Sequence, residues 1–110
     1  MSYGSSQWQE WVLNEEDSIK QIGAAYDLGI NAFDTADVYS NGLSERLLGK
    51  AIKQHNLPRD EIVVMTKLHY TMSRNMSDGF VMLDREGLDK NRHVNLNGLS
   101  RKVRLGTRRA

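Results

Sequence analysis

The chain has 110 residues, a formal net charge of +1 and no cysteine. It is long enough for one domain, and the lack of cysteine excludes disulfide scaffolds and thiolate metal sites. Hydrophobic residues make up 39% and charged residues 26% of the sequence. No run is long and apolar enough for a transmembrane helix, and the opening residues, without a charged leader and apolar stretch, lead us to expect no secretory signal. We therefore expect a cytoplasmic protein.

The first predicted element is an amphipathic helix that follows a Gly- and Ser-rich opening loop. Asn14 is the candidate N-cap, and the acidic residues 15–17 stand in the first turn, where the helix dipole favours negative charge. Apolar residues recur at helical spacing and predict one buried face: Ile19, Ile22, Ala25 and Tyr26. Gly29 predicts the end of this helix, because glycine adopts the left-handed conformation at low cost.

A strand, a second helix and a second strand follow in short succession. Residues 30–34 predict a short strand, and an Asn-Gly turn follows it at 41–42. Ser44 is predicted to cap the second helix, which must end before Pro58. Residues 62–65 form a continuous apolar run, which is typical of a strand buried on both faces of a parallel sheet. This order predicts βαβ units and an α/β fold.

The periodicity ends after Lys67. Residues 71–100 are rich in Asn, Asp, Arg and Gly, and an irregular segment of this length is typically functional or disordered. Residues 101–110 carry basic side chains and no acidic one. Such a tail is either a solvated, disordered end or a surface for nucleic acid. The absence of an aromatic side chain for base stacking favours the disordered end.

Polar side chains that can carry chemistry stand where the predicted strands end. Asp34 closes the first strand, Tyr39 follows in the next loop, and Lys67 closes the second strand. The ends of neighbouring parallel strands lie about 4.8 Å apart, so we expect these side chains to converge. Asp37, in the same loop as Tyr39, is interpreted as a solvated turn residue.

This set has a chemical use. A free phenol has a pKa of about 10, and a neighbouring ammonium group lowers such a pKa. A tyrosine beside a charged lysine can therefore protonate a carbonyl oxygen while a nicotinamide cofactor delivers a hydride to the carbonyl carbon. The plainer interpretation is a surface lysine, a turn aspartate and a packing tyrosine.

Two quoted segments, "GINAFDTADVYSNGLSERLLGKAI" and "IVVMTK", resemble the aldo-keto reductase family. The opening "MSYG" also resembles the end of that family's first barrel strand, and "GLSRK" at 98–102 resembles the start of a later helix. The resemblance implies a partial (β/α)8 TIM barrel of about three β/α units. It also implies NADPH as the cofactor and an aldehyde or ketone as the substrate.

The resemblance assigns roles to individual residues. Asp34, Tyr39 and Lys67 match three of the family's four catalytic residues. Tyr39 would be the proton donor, Lys67 and Asp34 its supporting pair, and Asp34 would also lie near the nicotinamide. The fourth residue, a histidine after the next strand, has no counterpart. His55 falls on the second helix, and His69 and His93 stand at other positions, at spacings that predict no metal site.

The resemblance also divides the chain. Residues 1–70 would be the amino-terminal part of the barrel, residues 71–100 a variable active-site loop, and residues 101–110 a disordered basic tail. A complete barrel needs about 250 residues, so we expect this chain to be a fragment that is inactive by itself. Our hypothesis for its length is an error in the gene model. Open strand edges would favour self-association. The alternatives are a non-catalytic regulatory or interaction protein derived from the family, and, less favoured, nucleic-acid binding by the tail.

Overall fold

A computed structural model describes residues 1–73, 75–78, 85–90, 92–93 and 96–103. Its elements in chain order are α1 (Glu15–Asp27), β1 (Ala32–Asp34), a 3-10 turn (Tyr39–Gly42), α2 (Leu43–Gln54), β2 (Val63–Met65), a second 3-10 turn (Met76–Asp78) and α3 (Arg85–Lys90). β1 and β2 pair in parallel, with Phe33 opposite Val64, and α2 connects them. The predicted order of helix, strand, helix and strand is confirmed.

α1 begins and ends as the sequence predicts, but the side chain of its N-cap residue bonds outside the helix. The first turn carries the three acidic residues, and Gly29 follows the helix with a φ of 92°. Asn14 is the N-cap residue, as predicted, and its carbonyl oxygen accepts a hydrogen bond of 2.9 Å from the backbone N–H of Ser18, but its side chain makes no capping hydrogen bond. The Asn14 Oδ1 atom instead accepts hydrogen bonds from the backbone N–H (3.0 Å) and the hydroxyl (3.2 Å) of Ser6. The asparagine therefore closes the opening loop.

α2 begins at a different cap residue from the one predicted. Its N-cap is Gly42 in the left-handed conformation, with a φ of 84°. Ser44 is already inside the first turn, and its hydroxyl oxygen is used by another residue, described below. Ser40 and Asn41 also have left-handed backbones, so the chain enters α2 through three left-handed residues in a row. At its other end α2 stops at Gln54, before Pro58 as predicted.

One apolar core lies between the two helices and one face of the sheet. Its buried members are Ile19, Ile22, Phe33, Leu48, Ala51, Leu57 and Ile62. His55 is the C-cap of α2, directly after Gln54. Its Nε2 atom lies 3.0 Å from the carbonyl oxygen of Ile19, so this side chain joins the two helices. A Cβ atom at Gly23 would lie 2.5 Å from the His55 ring, so the glycine makes room for it.

The other face of the sheet is open, and the prediction of a strand buried on both faces is wrong. Val63 is 53% and Met65 45% exposed, and Ile30, which lies before β1, is 52% exposed. The reason is that α1 and α2 both cover the Phe33 and Val64 side. Within the described residues the sheet has two strands, and neither helix packs on its second face.

The segment after β2 contains short ordered pieces. α3 and the second 3-10 turn lie inside the segment predicted to be irregular. Residues 101–103 form a helical turn, and the Ser100 hydroxyl accepts a hydrogen bond of 3.3 Å from the backbone N–H of Val103, as expected for a helix start in "GLSRK". Residues 104–110 of the predicted disordered tail lie outside the described residues, and the division at residues 70 and 100 stays a prediction.

Candidate active site

The parallel register brings Asp34 and Lys67 together. Beyond the two strands the ladder continues, with Thr35 N–H donating to the Met65 carbonyl (2.8 Å) and Asp37 N–H donating to the Lys67 carbonyl (3.1 Å). Asp34 ends β1 opposite Met65, two residues before Lys67. The Lys67 ammonium group donates to the Asp34 carboxylate and, at 2.9 Å, to the carbonyl oxygen of Thr35.

Tyr39 completes the predicted set. It opens the 3-10 turn before α2, and the Lys67 Nζ atom lies 5.0 Å from the centre of its ring. Ser40 attaches this turn to the opening loop. It is fully buried, and its Oγ atom accepts a hydrogen bond of 3.2 Å from the backbone N–H of Ser5. A Cβ atom at Gly4 would overlap that Oγ atom, so only glycine lets the opening loop approach this closely.

The charges in this set support one another. The hydrogen bond to the Asp34 carboxylate raises the pKa of the Lys67 ammonium group, and Tyr39 acts in the same direction, while desolvation opposes both. Lys67 therefore stays charged throughout the neutral range. The two side chains of the ion pair are 51% and 50% exposed, so the pair contributes little to the stability of the fold.

Tyr39 and Lys67 stand in the wall of a pocket of about 440 Å³, which is within the range of small-ligand sites. The pocket lies between the opening loop and the segments that follow the two strands. Its lining is largely aromatic and apolar: Met1, Trp8, Gln9, Trp11, Ala36, Asp37, Val38, Tyr39, Lys67, Leu68, His69 and Tyr70. This arrangement suits a flat or apolar ligand that presents one polar atom to the tyrosine and lysine.

Asp37 lies in a turn, as the sequence predicts, but it is buried instead of solvated. It is 5% exposed, and its Oδ2 atom has no hydrogen-bond partner among the described residues. Burial raises the pKa of its carboxyl group above the ordinary value. Residues 37–38 form a turn, but the Asp37 N–H still pairs with the Lys67 carbonyl, and residues 35–38 are all buried.

The histidines take separate places. His55 joins the helices, as described above. His69 is exposed, lies edge-on to Tyr70 with 5.1 Å between the ring centres, and lines the pocket with Tyr39 and Lys67. His93 is buried, and its Nδ1 atom has no hydrogen-bond partner among the described residues.

Sequence reasoning missed four polar side chains next to the site. Thr35 donates its hydroxyl hydrogen to Ser44, and Thr66 donates to Glu45. The signal that could have found them is their position, because each threonine is the chain neighbour of a predicted site residue.

In the described ranges there is also no group of three or more metal-ligating side chains. None of the helices found there is long and apolar enough to cross a membrane.

Comparison with known proteins identifies the family of this chain. The sequence matches the aldo/keto reductase family over residues 1–96 of 110. The chain therefore belongs to the aldo/keto reductase family, as its motifs predict. The family implies a (β/α)8 barrel, and the parallel β1–α2–β2 unit described here is consistent with part of one.

Individual relatives are fungal enzymes. The chain is 45% identical over 109 residues to the aldo-keto reductase AMT2 of Alternaria alternata, covering 92% of this chain and 29% of that protein. It is 47% identical over 102 residues to an aldo-keto reductase of Fusarium vanettenii, covering 89% and 28%. It is 53% identical over 70 residues to the versiconal hemiacetal acetate reductase of Aspergillus parasiticus, covering 64% and 20%. The chain thus spans less than a third of the length of each.

Proposed function

We propose that Asp34, Tyr39 and Lys67 form the proton-donating part of an NADPH-dependent reductase that acts on an aldehyde or ketone in the cytoplasm. The observation that carries the proposal is the Lys67 ammonium group, which lies between the Asp34 carboxylate and the Tyr39 ring at the wall of the pocket. Family membership and the reductase relatives support the reaction class.

In this proposal each residue has one task. NADPH, when bound, supplies a hydride to the carbonyl carbon. The Tyr39 O–H bond breaks as its proton passes to the carbonyl oxygen, which becomes the alcohol. Lys67 stabilises the phenolate that remains, and Asp34 keeps Lys67 charged and oriented.

The described residues are compatible with binding of the nicotinamide end of NADPH only. Asp34 is half-exposed beside the pocket, so its carboxylate is accessible to a nicotinamide group. We propose that it contacts that end of NADPH, and that the rest of the dinucleotide is held by parts of a barrel that the two described strands do not supply.

For the same reason we propose that the 110 residues alone do not turn over NADPH. A closed barrel needs about 250 residues, and the sheet described here has two strands. The test is the loss of NADPH absorbance with an aromatic aldehyde at high protein concentration. Turnover well above background that disappears in Tyr39→Phe would contradict this expectation.

The donor role is tested in a completed barrel, in which residues 1–96 replace the matching segment of the Alternaria alternata relative. We expect Tyr39→Phe to lower kcat by about 10²–10⁴-fold, the usual contribution of a positioned acid. The control is Tyr26→Phe, which removes a hydroxyl on α1 that bonds Glu61, at a distance from the pocket lining. Retention of activity in Tyr39→Phe, or an equal loss in the control, would overturn the assignment.

A second candidate function is a non-catalytic interaction protein. The exposed side chains of Val63 and Met65 on the open face of the sheet favour it. The completed barrel distinguishes the two candidates, because an interaction protein would show no turnover there, whereas the reductase proposal requires it.

A further inference from the structure

The first turn of α2 contacts the ends of both strands through hydrogen bonds. The Thr35 hydroxyl donates to the Ser44 Oγ atom at 3.1 Å. The Thr66 hydroxyl donates to the Glu45 carboxylate. Ser44 and Glu45 are consecutive residues, and we call them the α2 clamp. The clamp therefore ties the segment after β1 and the segment after β2 to one turn of helix.

Each of these threonines is adjacent to a site residue. Thr35 follows Asp34, and Thr66 precedes Lys67. Thr35 is shared more closely still, because its carbonyl oxygen accepts the 2.9 Å hydrogen bond from Lys67 while its hydroxyl binds Ser44. The α2 clamp is therefore linked through Thr35 to one hydrogen-bond acceptor of Lys67, and through Thr66 to the residue that precedes Lys67.

The bonds differ in burial, and this difference separates their roles. Thr35 and Ser44 are 4% and 5% exposed, so their hydroxyls satisfy each other where water does not reach. Thr66 is exposed and Glu45 half-buried, so water could replace this bond at little cost to stability. The Thr66–Glu45 bond therefore adds little to the stability of the fold, but it ties the residue before Lys67 to α2.

We propose that Glu45 and Thr66 are positioning residues that hold Lys67 between Asp34 and Tyr39. The kinetic consequence of this proposal rests on the proposed function, but the placement of Lys67 does not. Without the Thr66–Glu45 bond the segment carrying Lys67 is held to the site by the ladder and by the lysine's own flexible side chain. The ammonium group then spends less time on the Asp34 carboxylate.

The first experiment needs no turnover. It measures how fast acetic anhydride acetylates Lys67 in the 110-residue chain, with exposed Lys20 on α1 as the internal reference. We expect Lys67 to react more slowly than Lys20, because the ion pair keeps its amine protonated. Thr66→Val and Glu45→Ala should each raise the Lys67 to Lys20 ratio by about two- to tenfold, the equivalent of one hydrogen bond. Thr66→Ser, which keeps the hydroxyl, should leave the ratio unchanged.

The control is Tyr26→Phe, which removes the same kind of hydroxyl-to-carboxylate bond, to Glu61, on another part of the surface. It should leave the Lys67 to Lys20 ratio as it is. Equal ratios in the parent chain, Thr66→Val and Glu45→Ala would overturn the proposal. So would an equal rise in the Tyr26→Phe control, since the effect would then be general loosening.

The second experiment is kinetic and uses the completed barrel. Thr66→Val should lower kcat by about 10- to 100-fold, as expected when a reacting group is misplaced, with KM changed less than kcat. Thr66→Ser should restore kcat. If the parent barrel has no activity, the proposed function fails, and the acetylation ratios still decide the placement. If the barrel is active and Thr66→Val keeps full kcat, the positioning role fails alone.

Discussion

The side chains of Asp34, Tyr39 and Lys67 depend on one another, because a single ammonium group contacts the other two. Under the proposed function, Tyr39→Phe would delete the proton donor, and Lys67→Met would leave that donor without its neighbouring charge. In the completed barrel we expect Lys67→Met to abolish most activity and Asp34→Asn to cost less, since it weakens only the orientation of Lys67. The measurement is steady-state kinetics with one aldehyde.

The informative variant is the double change of Tyr39 and Lys67. Residues that act as one unit have non-additive effects, so the double variant should be little worse than Tyr39→Phe alone. If the two losses in kcat multiply instead, the residues act independently, and the shared proton-transfer role is wrong.

Asp37 supports a prediction about stability and pH. Burial raises the pKa of its carboxyl group, so the charged form is disfavoured in the fold compared with the unfolded chain. The resulting loss of stability is absent below the ordinary pKa of about 4, grows as the pH rises through the raised value, and is complete above it. We therefore expect Asp37→Asn to increase the free energy of unfolding at pH 7, and to increase it less at pH 4.

This expectation is checked by urea unfolding of both proteins at the two pH values. Asp34→Asn is the matched control, because Asp34 is half-exposed and ion-paired, so its change should not stabilise the protein at pH 7. An Asp37→Asn variant that is less stable than the parent at pH 7 would show that the Asp37 carboxylate is a favourable interaction in the fold.

At the scale of elements, the contact between α1 and α2 depends on one glycine and one histidine. Gly23 lies under the His55 ring, whereas a Cβ atom at Gly49 in α2 would meet no atom within 4 Å. Replacing a helical glycine by alanine ordinarily stabilises a protein by about 0.5–1 kcal/mol. We expect Gly49→Ala to gain this amount in the free energy of unfolding, measured by urea denaturation and circular dichroism.

Gly23→Ala should show no such gain. Its methyl group displaces the His55 ring and breaks the contact with the Ile19 carbonyl. The loss of that contact costs about 1 kcal/mol, which offsets the gain from the better helix-forming residue. In a His55→Ala background the same change should become favourable. A full gain from Gly23→Ala with His55 present would mean that the ring moves aside without cost.

At the scale of the whole molecule, the open face of the sheet is the main exposed apolar surface of the described strands. Val63 and Met65 stand there beside strand edges that can pair with other chains. We predict that the 110-residue chain self-associates in a concentration-dependent way. Val63→Lys should weaken that association by about tenfold or more, since burying one valine is worth about 1.5–3 kcal/mol.

Sedimentation analysis over a range of concentrations tests this prediction. Leu28→Lys is the matched control, because Leu28 is 85% exposed but lies at the end of α1, away from the sheet. A chain that is monomeric at every concentration, or a control that dissociates it as well as Val63→Lys does, would contradict the role of the open face.

Much of the architecture follows from local sequence. Helical spacing of apolar residues predicts α1 and α2, Gly29 predicts where α1 ends, and alternating helices and strands predict the parallel pair. The meeting of Asp34 and Lys67 could also be predicted, because parallel register brings the two strand ends to one edge. These features depend on periodicity and chain order, which the sequence states directly.

Other features were decided only by tertiary structure. Asn14 and Ser44 have the chemistry of N-caps, but contacts with distant residues use their side-chain oxygens instead. Asp37 is a turn residue, as its type predicts, yet it is buried, and its N–H pairs with the Lys67 carbonyl beyond β1. The Thr66–Glu45 bond joins residues that are 21 positions apart. A polar side chain has the same local propensity whichever partner it finds, and only the packing of helix against strand determines which partner is within reach.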